Sequence, residues 1–319
     1  MKPIAFFLAL SLLSVTGLAD QVSAPESPRC VQDDLNRRVC TVKPVQRIIS
    51  LAPSVTELVY AAGGGDKVIA VDDHSDYPEA VQALPRVGGY PNTSVEAILS
   101  KKPDLVMIWS GGNDSRLSAQ LETIGLNVFY ADPIDFDGIA SVIRRMGKIM
   151  GTEAVAEKNA DAFYQHYQSI RKEFSQAEPV NVFFEIWNNP LMTVNGDQII
   201  SQVIELCGGV NVFATARPRV PKVGIEAVLA QNPDAIVSSK SVQGGLDIQS
   251  RWQKYPQIKA VKNGFLFTIP GDLITRASPR VLKGAEVLCQ QLQDVRAFKK
   301  KSELTPVSNA ENSTAQGKH

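Results

Sequence analysis

The sequence predicts an α/β protein of two lobes, each with a central parallel sheet, joined by a single long, rigid helix. Strand and helix patterns alternate on both sides of a stretch that has only helical periodicity. A helix-then-strand unit occurs twice, as VEAILSKKPDLVMIW from Val95 and as IEAVLAQNPDAIVSS from Ile225. The chain has 319 residues, 44% of them hydrophobic, which is enough for two domains with separate cores. Each lobe is therefore expected to be Rossmann-like.

The chain begins with the pattern of a secretory signal peptide over residues 1–19. One Lys precedes an apolar run, and small residues follow up to Ala19. The apolar run is short for a bilayer span, so we expect cleavage and export. The segment 29–43 is predicted to be a hairpin, because turn-forming Asp33, Asp34 and Asn36 lie at the centre of RCVQDDLNRRVC.

The N-terminal lobe is predicted to span residues 20–136. Its strands are expected in RIISLA, DKVIAV, DLVMIW and LNVFYA, and its helices in PSVTELVYAAGG, VEAILSKK and SRLSAQLETIG. In the first helix, Ser54 and Glu57 have the spacing of a capping box, and Gly63 supplies a stop signal.

The interlobe connection is predicted over residues 137–176. It has helical periodicity with one interruption at Gly151-Thr152, and the part from Glu153 would run for some twenty residues, roughly 30 Å. A stiff single connection allows little hinge bending. We therefore expect a ligand between the lobes to meet a nearly preformed cleft.

The C-terminal lobe is predicted to span residues 177–297. Its elements are expected in VNVFFEIW, QIISQVIELCGG, IEAVLAQ, DAIVSS and FLFTI, followed by a last helix from Ser278-Pro279. Trp252 lies on a helical stretch and is expected to pack in the core. The polar segment 298–319 is predicted to be a disordered tail.

Four cysteines in an exported chain indicate disulfides, and three pairings are possible. We favour Cys30–Cys40, which flanks the predicted hairpin, and Cys207–Cys289, which would join a helix end to the last helix. A redox role is disfavoured because the sequence has no CxxC motif.

Charge and motifs favour a binding protein over an enzyme. The 33 basic and 33 acidic side chains balance, so the chain lacks the basic excess of a nucleic-acid binder. HExxH, GxSxG and P-loop motifs are absent from the sequence. We expect neither catalytic residues nor a metal site, because His74 is the only histidine near the predicted cleft.

Ligands of open α/β sheets bind beyond the carboxyl ends of the strands. Two of the three tryptophans fall at such ends, one in each lobe, which favours a shared aromatic site. Whether His74 also contacts a ligand is left open. The candidate ligand-binding residues are Pro53, Ser54, Tyr77, Tyr90, Trp109, Gly111, Trp187, Asp272 and Arg276.

Several stretches resemble the substrate-binding proteins that serve ABC importers of metal chelates, and within that family its cobalamin-binding branch. They are RIISLAPSVTEL, SDYP, PDLVMIWSGG, the paired Glu-containing helices and TRASPR, and the resemblance extends from about Arg47 to Leu292. It implies a class III periplasmic binding protein that is monomeric, has no cofactor and is located in the periplasm. A corrinoid would lie between the lobes and pass to the permease subunits of an importer.

The aromatic wall departs from the family pattern. A family Trp corresponds to Tyr90, a second to Val220, and a family Phe aligns at or beside Ile186, where we expect Trp187 to take its role. These departures leave a ferric siderophore or haem as the alternative ligand. A chelatase-type enzyme and a ligand-sensing partner of a membrane receptor are the further alternatives.

Charge favours cobalamin, which is nearly neutral, over the anionic ferric catecholates, which need unpaired cations. Asp272 lies four residues from Arg276 and is expected to cancel its charge. Arg217, Arg219 and Lys222 could serve an anionic ligand if they faced inward, but we interpret them as a solvated loop.

The duplicated unit places an acid, Glu96 or Glu226, at the same position of each copy. The resemblance implies that these two acids dock onto arginines of the two permease subunits. A capping box of Thr93 with Glu96 is the alternative for the first copy. Val223 occupies the matching position of the second copy, so capping would explain only one of them.

Overall fold

The computed structural model describes residues 27–112, 115–240 and 248–304. The helices are Pro53–Ala61 (α1), Val95–Ser100 (α2), Ser115–Thr123 (α3), Phe136–Met150 (α4), Glu153–Phe174 (α5), Ile199–Leu206 (α6), Ile225–Gln231 (α7), Ile248–Trp252 (α8), Lys259–Lys262 (α9), Gly271–Ile274 (α10) and Val281–Glu303 (α11). The strands are Arg29–Gln32 (β1), Arg38–Thr41 (β2), Ile48–Ser50 (β3), Val68–Val71 (β4), Leu105–Ile108 (β5), Val128–Tyr130 (β6), Val180–Glu185 (β7), Trp187–Asn188 (β8), Leu191–Met192 (β9), Gly209–Asn211 (β10), Ala235–Lys240 (β11) and Leu266–Pro270 (β12). The predicted signal peptide, 1–19, lies outside the described residues.

The strands form two central parallel sheets with helices packed on them, which confirms the predicted fold class. The first sheet has the order β4-β3-β5-β6 and the second the order β10-β7-β11-β12, with parallel pairing throughout. The strand that lies second in each sheet is buried, completely in β3 and at every residue except Asn181 in β7, because helices cover both faces of a parallel sheet. We call residues 29–135 the first half and residues 177–304 the second half.

The duplicated unit occupies equivalent places in the two sheets. Its strand is β5 in the first sheet, beside β3, and β11 in the second, beside β7. The Asp104 carboxylate accepts the amides of Gln46 and Arg47 at 2.9 and 3.0 Å. The Asp234 carboxylate accepts the amide of Asn181 at 3.0 Å. The Pro-Asp of each copy therefore fixes the start of the neighbouring strand.

Two helices connect the halves, and the break between them falls where the sequence predicts it. Gly151 ends α4 in the left-handed conformation, with φ of 71°. The helices then approach closely, because a Cβ at Gly147 would lie only 2.2 Å from that of Ala156. The longer helix α5 contacts both halves. Its Asn159 donates to the Ala61 carbonyl at 2.8 Å, and its His166 lies 2.9 Å from Glu286 of α11.

Both capping boxes proposed from the sequence are wrong. Helix α1 has Ala52 at its N-cap and begins at Pro53, because proline is well tolerated at the first helical position. Ser54 therefore lies inside the first turn and cannot be the cap. Helix α2 is capped by Ser94 and not by Thr93: the Ser94 hydroxyl accepts the Ala97 amide at 3.1 Å. Helix α7 has Gly224 at its N-cap and no side-chain cap.

Three element ends differ from the sequence prediction. Strand β5 ends at Ile108, and Trp109 follows it. The stretch VFFEIW divides, because Trp187 belongs to β8, which pairs antiparallel with β9. Helix α11 continues to Glu303 because Phe298 packs edge-to-face on Phe265, so the predicted tail cannot start at 298. Residues 305–319 of that tail lie outside the described residues.

Both favoured disulfides are present. Cys30–Cys40 joins residues directly opposite each other in the β1–β2 hairpin, and Cys207–Cys289 ties the end of α6 to α11. The hairpin is held against α4 by Arg145, which donates to the Gln32 carbonyl at 2.6 Å and to Asp34 at 2.5 Å.

Trp252 is fully buried, as predicted, and its indole N–H donates to Glu185 at 2.7 Å. None of the helices in the described ranges combines the length and the apolarity that a membrane crossing needs. Within the same ranges, no three His, Cys, Asp or Glu side chains are arranged to hold a metal ion.

Candidate functional site

Segments at the carboxyl ends of the two sheets meet, and we call the region between these ends the cleft. The segments after β3 and β4 contact the segment after β12, and the segment after β6 contacts the loop that precedes α7. Because ligands of parallel sheets bind at this edge, the cleft is the candidate functional site. Two groups of polar side chains span it.

The first group, which we call the Glu57 cluster, centres on a buried carboxylate of α1. Oε1 of Glu57 accepts Arg276 Nη1 at 2.9 Å and Arg280 Nη2 at 2.7 Å. Its Oε2 accepts Ser278 Oγ at 2.5 Å and Arg280 Nε at 3.0 Å. The Glu57 side chain is 2% exposed, and all four of these donors come from the second half. The cluster comprises Glu57, Asp76, Tyr77, Asp272, Arg276, Ser278 and Arg280.

The outer members of the cluster surround the two guanidiniums. Asp76 accepts Arg276 Nη1 at 2.6 Å, and Asp272 accepts Arg280 Nη1 at 2.8 Å. The Arg280 guanidinium lies 4.0 Å from the centre of the Tyr77 ring, within cation–π range. Tyr77, Asp272 and Arg276, three of the predicted site residues, are thus brought together.

The expected pairing of Asp272 with Arg276 is wrong. The spacing of four residues brings side chains together only within a continuous helix, and α10 ends at Ile274. Arg276 instead pairs with Glu57 and Asp76, and Asp272 pairs with Arg280. The charge of Arg276 is still compensated, but by the first half of the molecule.

Ionisation in the cluster follows these pairs. Burial lowers the pKa of Arg276, but hydrogen bonds to Asp76 and Glu57 outweigh it, so the pKa lies above its ordinary value. Burial likewise opposes the charge of Asp76, and the Arg276 hydrogen bond outweighs it, so the pKa of Asp76 is lowered. Both groups are therefore charged at neutral pH.

The second group centres on Asp132, two residues after the end of β6. Its Oδ1 accepts the Trp109 indole N–H at 2.9 Å, and its Oδ2 accepts Ser110 Oγ and Arg219 Nη1, each at 3.2 Å. Arg219 belongs to the second half, so this contact also crosses the cleft. The interpretation of Arg219 as part of a solvated loop is wrong, because Asp132 lies opposite it. Arg217 is highly exposed and pairs with Asp197 at 3.1 Å.

The glycine pair after Trp109 allows the chain to fold back over the indole. A Cβ at Gly112 would lie 2.0 Å from Cζ3 of the ring, and one at Gly111 would lie 2.9 Å from Nε1. Any side chain at Gly112 would collide with the indole. Gly111-Gly112 therefore holds Trp109 in place at the cleft edge.

The remaining predicted residues lie at the carboxyl ends of the sheets but outside both groups, as far as the described side chains show. Tyr90 is 62% exposed and Trp187 is 57% exposed, with its indole N–H donating to the Asn189 carbonyl at 2.9 Å. Pro53 and Ser54 are half-buried in the first turn of α1. His74 is exposed, and its ring lies against Gly89.

Sequence reasoning missed Glu57, Asp132 and Arg280. Asp132 could have been found, because it follows the strand LNVFYA at the expected edge. Arg280 lies in the quoted TRASPR stretch but was not selected. From the sequence, Glu57 is interpreted as a capping residue. The apolar stretch LVYAA that follows it is a signal that the side chain is buried, and a buried glutamate needs a charged partner.

The two acids of the duplicated unit are both exposed in the first turns of their helices. Glu96 accepts the Ser94 hydroxyl at 3.1 Å, and Glu226 folds back beside Gly224. An open groove of about 610 Å³ adjoins Glu96, between α2 and α3.

Residues 48–273 match the sequence profile of a family described as periplasmic binding protein. The chain belongs to this family. A Vitamin B12-binding protein of Yersinia pestis (strain Pestoides F) is 38% identical to this binding protein over 250 residues, 78% of the chain and 87% of the relative. Members of the family are substrate-binding proteins, and the fold agrees with the class III architecture.

Solved structures agree with the assignment. The periplasmic vitamin B12 binding protein of Vibrio cholerae superposes with a TM-score of 0.73 at 34% identity, covering 79% of this chain and 98% of that one. A periplasmic haem-binding protein from Roseiflexus sp. RS-1 in apo form has a TM-score of 0.71 at 22% identity, covering 78% and 98%. The second likeness shows the shared fold.

Proposed function

We propose that this protein captures a corrinoid such as vitamin B12 in the cleft between its two lobes. The observation that carries the proposal is the composition of the cleft in a chain with vitamin B12-binding relatives. Tyr77, Tyr90 and Trp187 expose 43, 62 and 57% of their surfaces at its edge, while the described guanidiniums that cross it are paired with carboxylates. A bulky, nearly neutral ligand needs apolar faces and hydrogen bonds, and such a cleft offers both.

The proposal assigns the ligand to the interface of an N-terminal lobe, 20–136, and a C-terminal lobe, 177–297. Residues 137–176 connect them, and α5 would brace their spacing through its contacts with both. The protein would act as a monomer in the periplasm after removal of residues 1–19. Its role would be binding and delivery without a cofactor and without bond-making, so the corrinoid should be recovered unchanged.

Titration calorimetry against cyanocobalamin, haem and a ferric siderophore tests the ligand. We expect saturable binding of cyanocobalamin at micromolar concentration or below, with a change in tryptophan fluorescence. Saturation by haem or the siderophore without cyanocobalamin binding would instead support the second candidate ligand. That candidate is favoured only by the reduced aromatic wall at Tyr90 and Val220.

A pair of variants tests whether the exposed aromatic edge forms the site. Trp187→Ala should weaken cyanocobalamin binding by about tenfold or more, because burial of a large aromatic side chain contributes roughly 1.5–3 kcal/mol. Tyr164→Ala is the matched control, since Tyr164 is an exposed aromatic on α5. Equal affinities of the two variants would place the ligand elsewhere.

We further propose that Glu96 and Glu226 dock onto two permease subunits of an ABC importer. Their equivalent places, in the first turns of α2 and α7, suit a partner that presents two matching cationic sites. Glu96→Arg with Glu226→Arg should abolish association with the importer and leave cyanocobalamin binding intact. Asp294→Arg, an exposed acid of α11, is the control and should still associate. Association by the double variant would reject the docking role.

A further inference from the structure

We infer that Glu57 is a specificity-determining residue, which neutralises the two guanidiniums of the second half and thereby disfavours anionic chelates in the cleft. The inference rests on the proposed function and deepens it, because it names the property by which the cleft would select its ligand: low net charge. Neither the aromatic edge nor the docking acids supply this selection.

The geometry gives Glu57 a role that the other carboxylates lack. It contacts both Arg276 and Arg280, and its two oxygens accept four hydrogen bonds from the second half. Asp76 contacts only Arg276, and Asp272 contacts only Arg280. Glu57 is 2% exposed whereas Asp76 is 57% exposed, so water screens the Glu57 charge least.

The two groups of side chains that cross the cleft contain more carboxylates than guanidiniums. In the Glu57 cluster three carboxylates face two guanidiniums, and in the second group Asp132 faces Arg219. The described crossing groups thus comprise four carboxylates and three guanidiniums. An anionic chelate would have to displace a carboxylate from a guanidinium before it gained a cation of its own. A neutral ligand meets no such cost.

The test is the affinity of Glu57→Gln for cyanocobalamin and for haem, whose propionates are anionic. Glutamine keeps the shape and one acceptor oxygen, replaces the second oxygen by an NH2 donor, and removes one negative charge beside two guanidiniums. We expect haem affinity to rise by about tenfold at low ionic strength, with a smaller gain in high salt. Cyanocobalamin affinity should change much less. An unchanged haem affinity in a folded Glu57→Gln protein overturns the inference.

Two controls separate charge from shape and from burial. Glu57→Asp keeps the charge and should retain the wild-type discrimination against haem. Glu185→Gln removes another buried carboxylate, which pairs with Arg251 inside the second half, and should not raise haem affinity. A gain in Glu57→Asp equal to that in Glu57→Gln would show that shape alone is responsible, and it would overturn the inference.

If Glu57→Gln does not fold, Asp76→Asn provides the same measurement at an exposed position. It removes a negative charge from Arg276 and should raise haem affinity in the same direction by a smaller factor; no rise would overturn the inference. The proposed function fails separately, if the wild-type protein does not bind cyanocobalamin. Haem affinities of the variants remain measurable in that case, so the two failures are distinguishable.

Discussion

The two halves of the molecule share a sheet topology and differ in the side chains that they place at the cleft. Their sheets have the same strand order, with β3, β5 and β6 of the first corresponding to β7, β11 and β12 of the second. Asp104, just before β5, accepts a backbone amide at the start of β3. Asp234, just before β11, likewise accepts a backbone amide at the start of β7. The duplicated sequence therefore specifies how neighbouring strands align in each sheet.

The cleft groups come mostly from segments outside the duplicated unit, and the one member inside it, Trp109, ends the first copy where the second copy ends in Ser239. In the first half, Trp109 follows β5 directly and is covered by a glycine pair, while in the second half the β8–β9 hairpin intervenes after β7 and carries Trp187. Glu57 extends from α1 across the cleft, whereas the buried Glu185 binds Arg251 and Trp252 within its own half. Repetition therefore builds the scaffold, and local departures from the repeat build the site.

The disulfides offer the largest expected difference between the halves. Cys207–Cys289 closes a separation of 82 residues and Cys30–Cys40 one of 10. Loop entropy predicts a loss of about 4.5 kcal/mol for Cys207→Ala with Cys289→Ala, and about 2.7 kcal/mol for Cys30→Ala with Cys40→Ala. Urea unfolding of both double variants measures the difference. A greater cost for the hairpin pair would mean that the β1–β2 contacts with α4 depend on the short bridge.

The register aspartates come next in magnitude. Asp234 is 7% exposed and also accepts Lys299 Nζ at 2.8 Å, whereas Asp104 is exposed. Asp234→Ala should therefore lower the free energy of unfolding by about 2–3 kcal/mol, and Asp104→Ala by about 1 kcal/mol. Chemical denaturation of the two variants provides the comparison. Equal losses would show that the half-buried pair of Lys299 with Asp234 adds nothing to the stability of the second half.

The strands, helices and their connections were predictable from the sequence to a greater extent than the contacts in the cleft. Strand and helix alternation, the Gly151 break and the hairpin disulfide Cys30–Cys40 depend on local periodicity, turn residues and short spacing, which a single sequence displays. The partners of Glu57 lie more than two hundred residues away in the chain, so its spacing to Ser54 suggested a cap instead. Asp272 and Arg276 both lie in the Glu57 cluster, but which partner each one contacts depends on where α10 ends.

A smaller effect is expected just before the Pro-Asp of each copy. Lys102 and Asn232 both have left-handed backbone conformations, with φ of 48° and 45°. Asparagine tolerates this region better than lysine does. Lys102→Asn should therefore raise the free energy of unfolding by about 0.5 kcal/mol, since the strain of a non-glycine residue there is roughly 1–2 kcal/mol and asparagine relieves part of it. The reverse change, Asn232→Lys, should lower it in thermal or urea unfolding, and a loss in both would contradict the equivalence.

The smallest effect concerns the exposed link between the halves. Because Arg276 holds the pKa of Asp76 below its ordinary value, the folded state favours the ionised carboxylate. The pair therefore stabilises the fold at pH values above the unfolded pKa of about 4, and its contribution is lost as pH falls through the lower folded pKa. Asp76→Asn should cost a few tenths of a kcal/mol at pH 7, the scale of exposed ion pairs, and nothing near pH 2. Unfolding measured at both pH values checks this, and a difference that persisted in acid would assign the role of Asp76 to hydrogen bonding instead of charge.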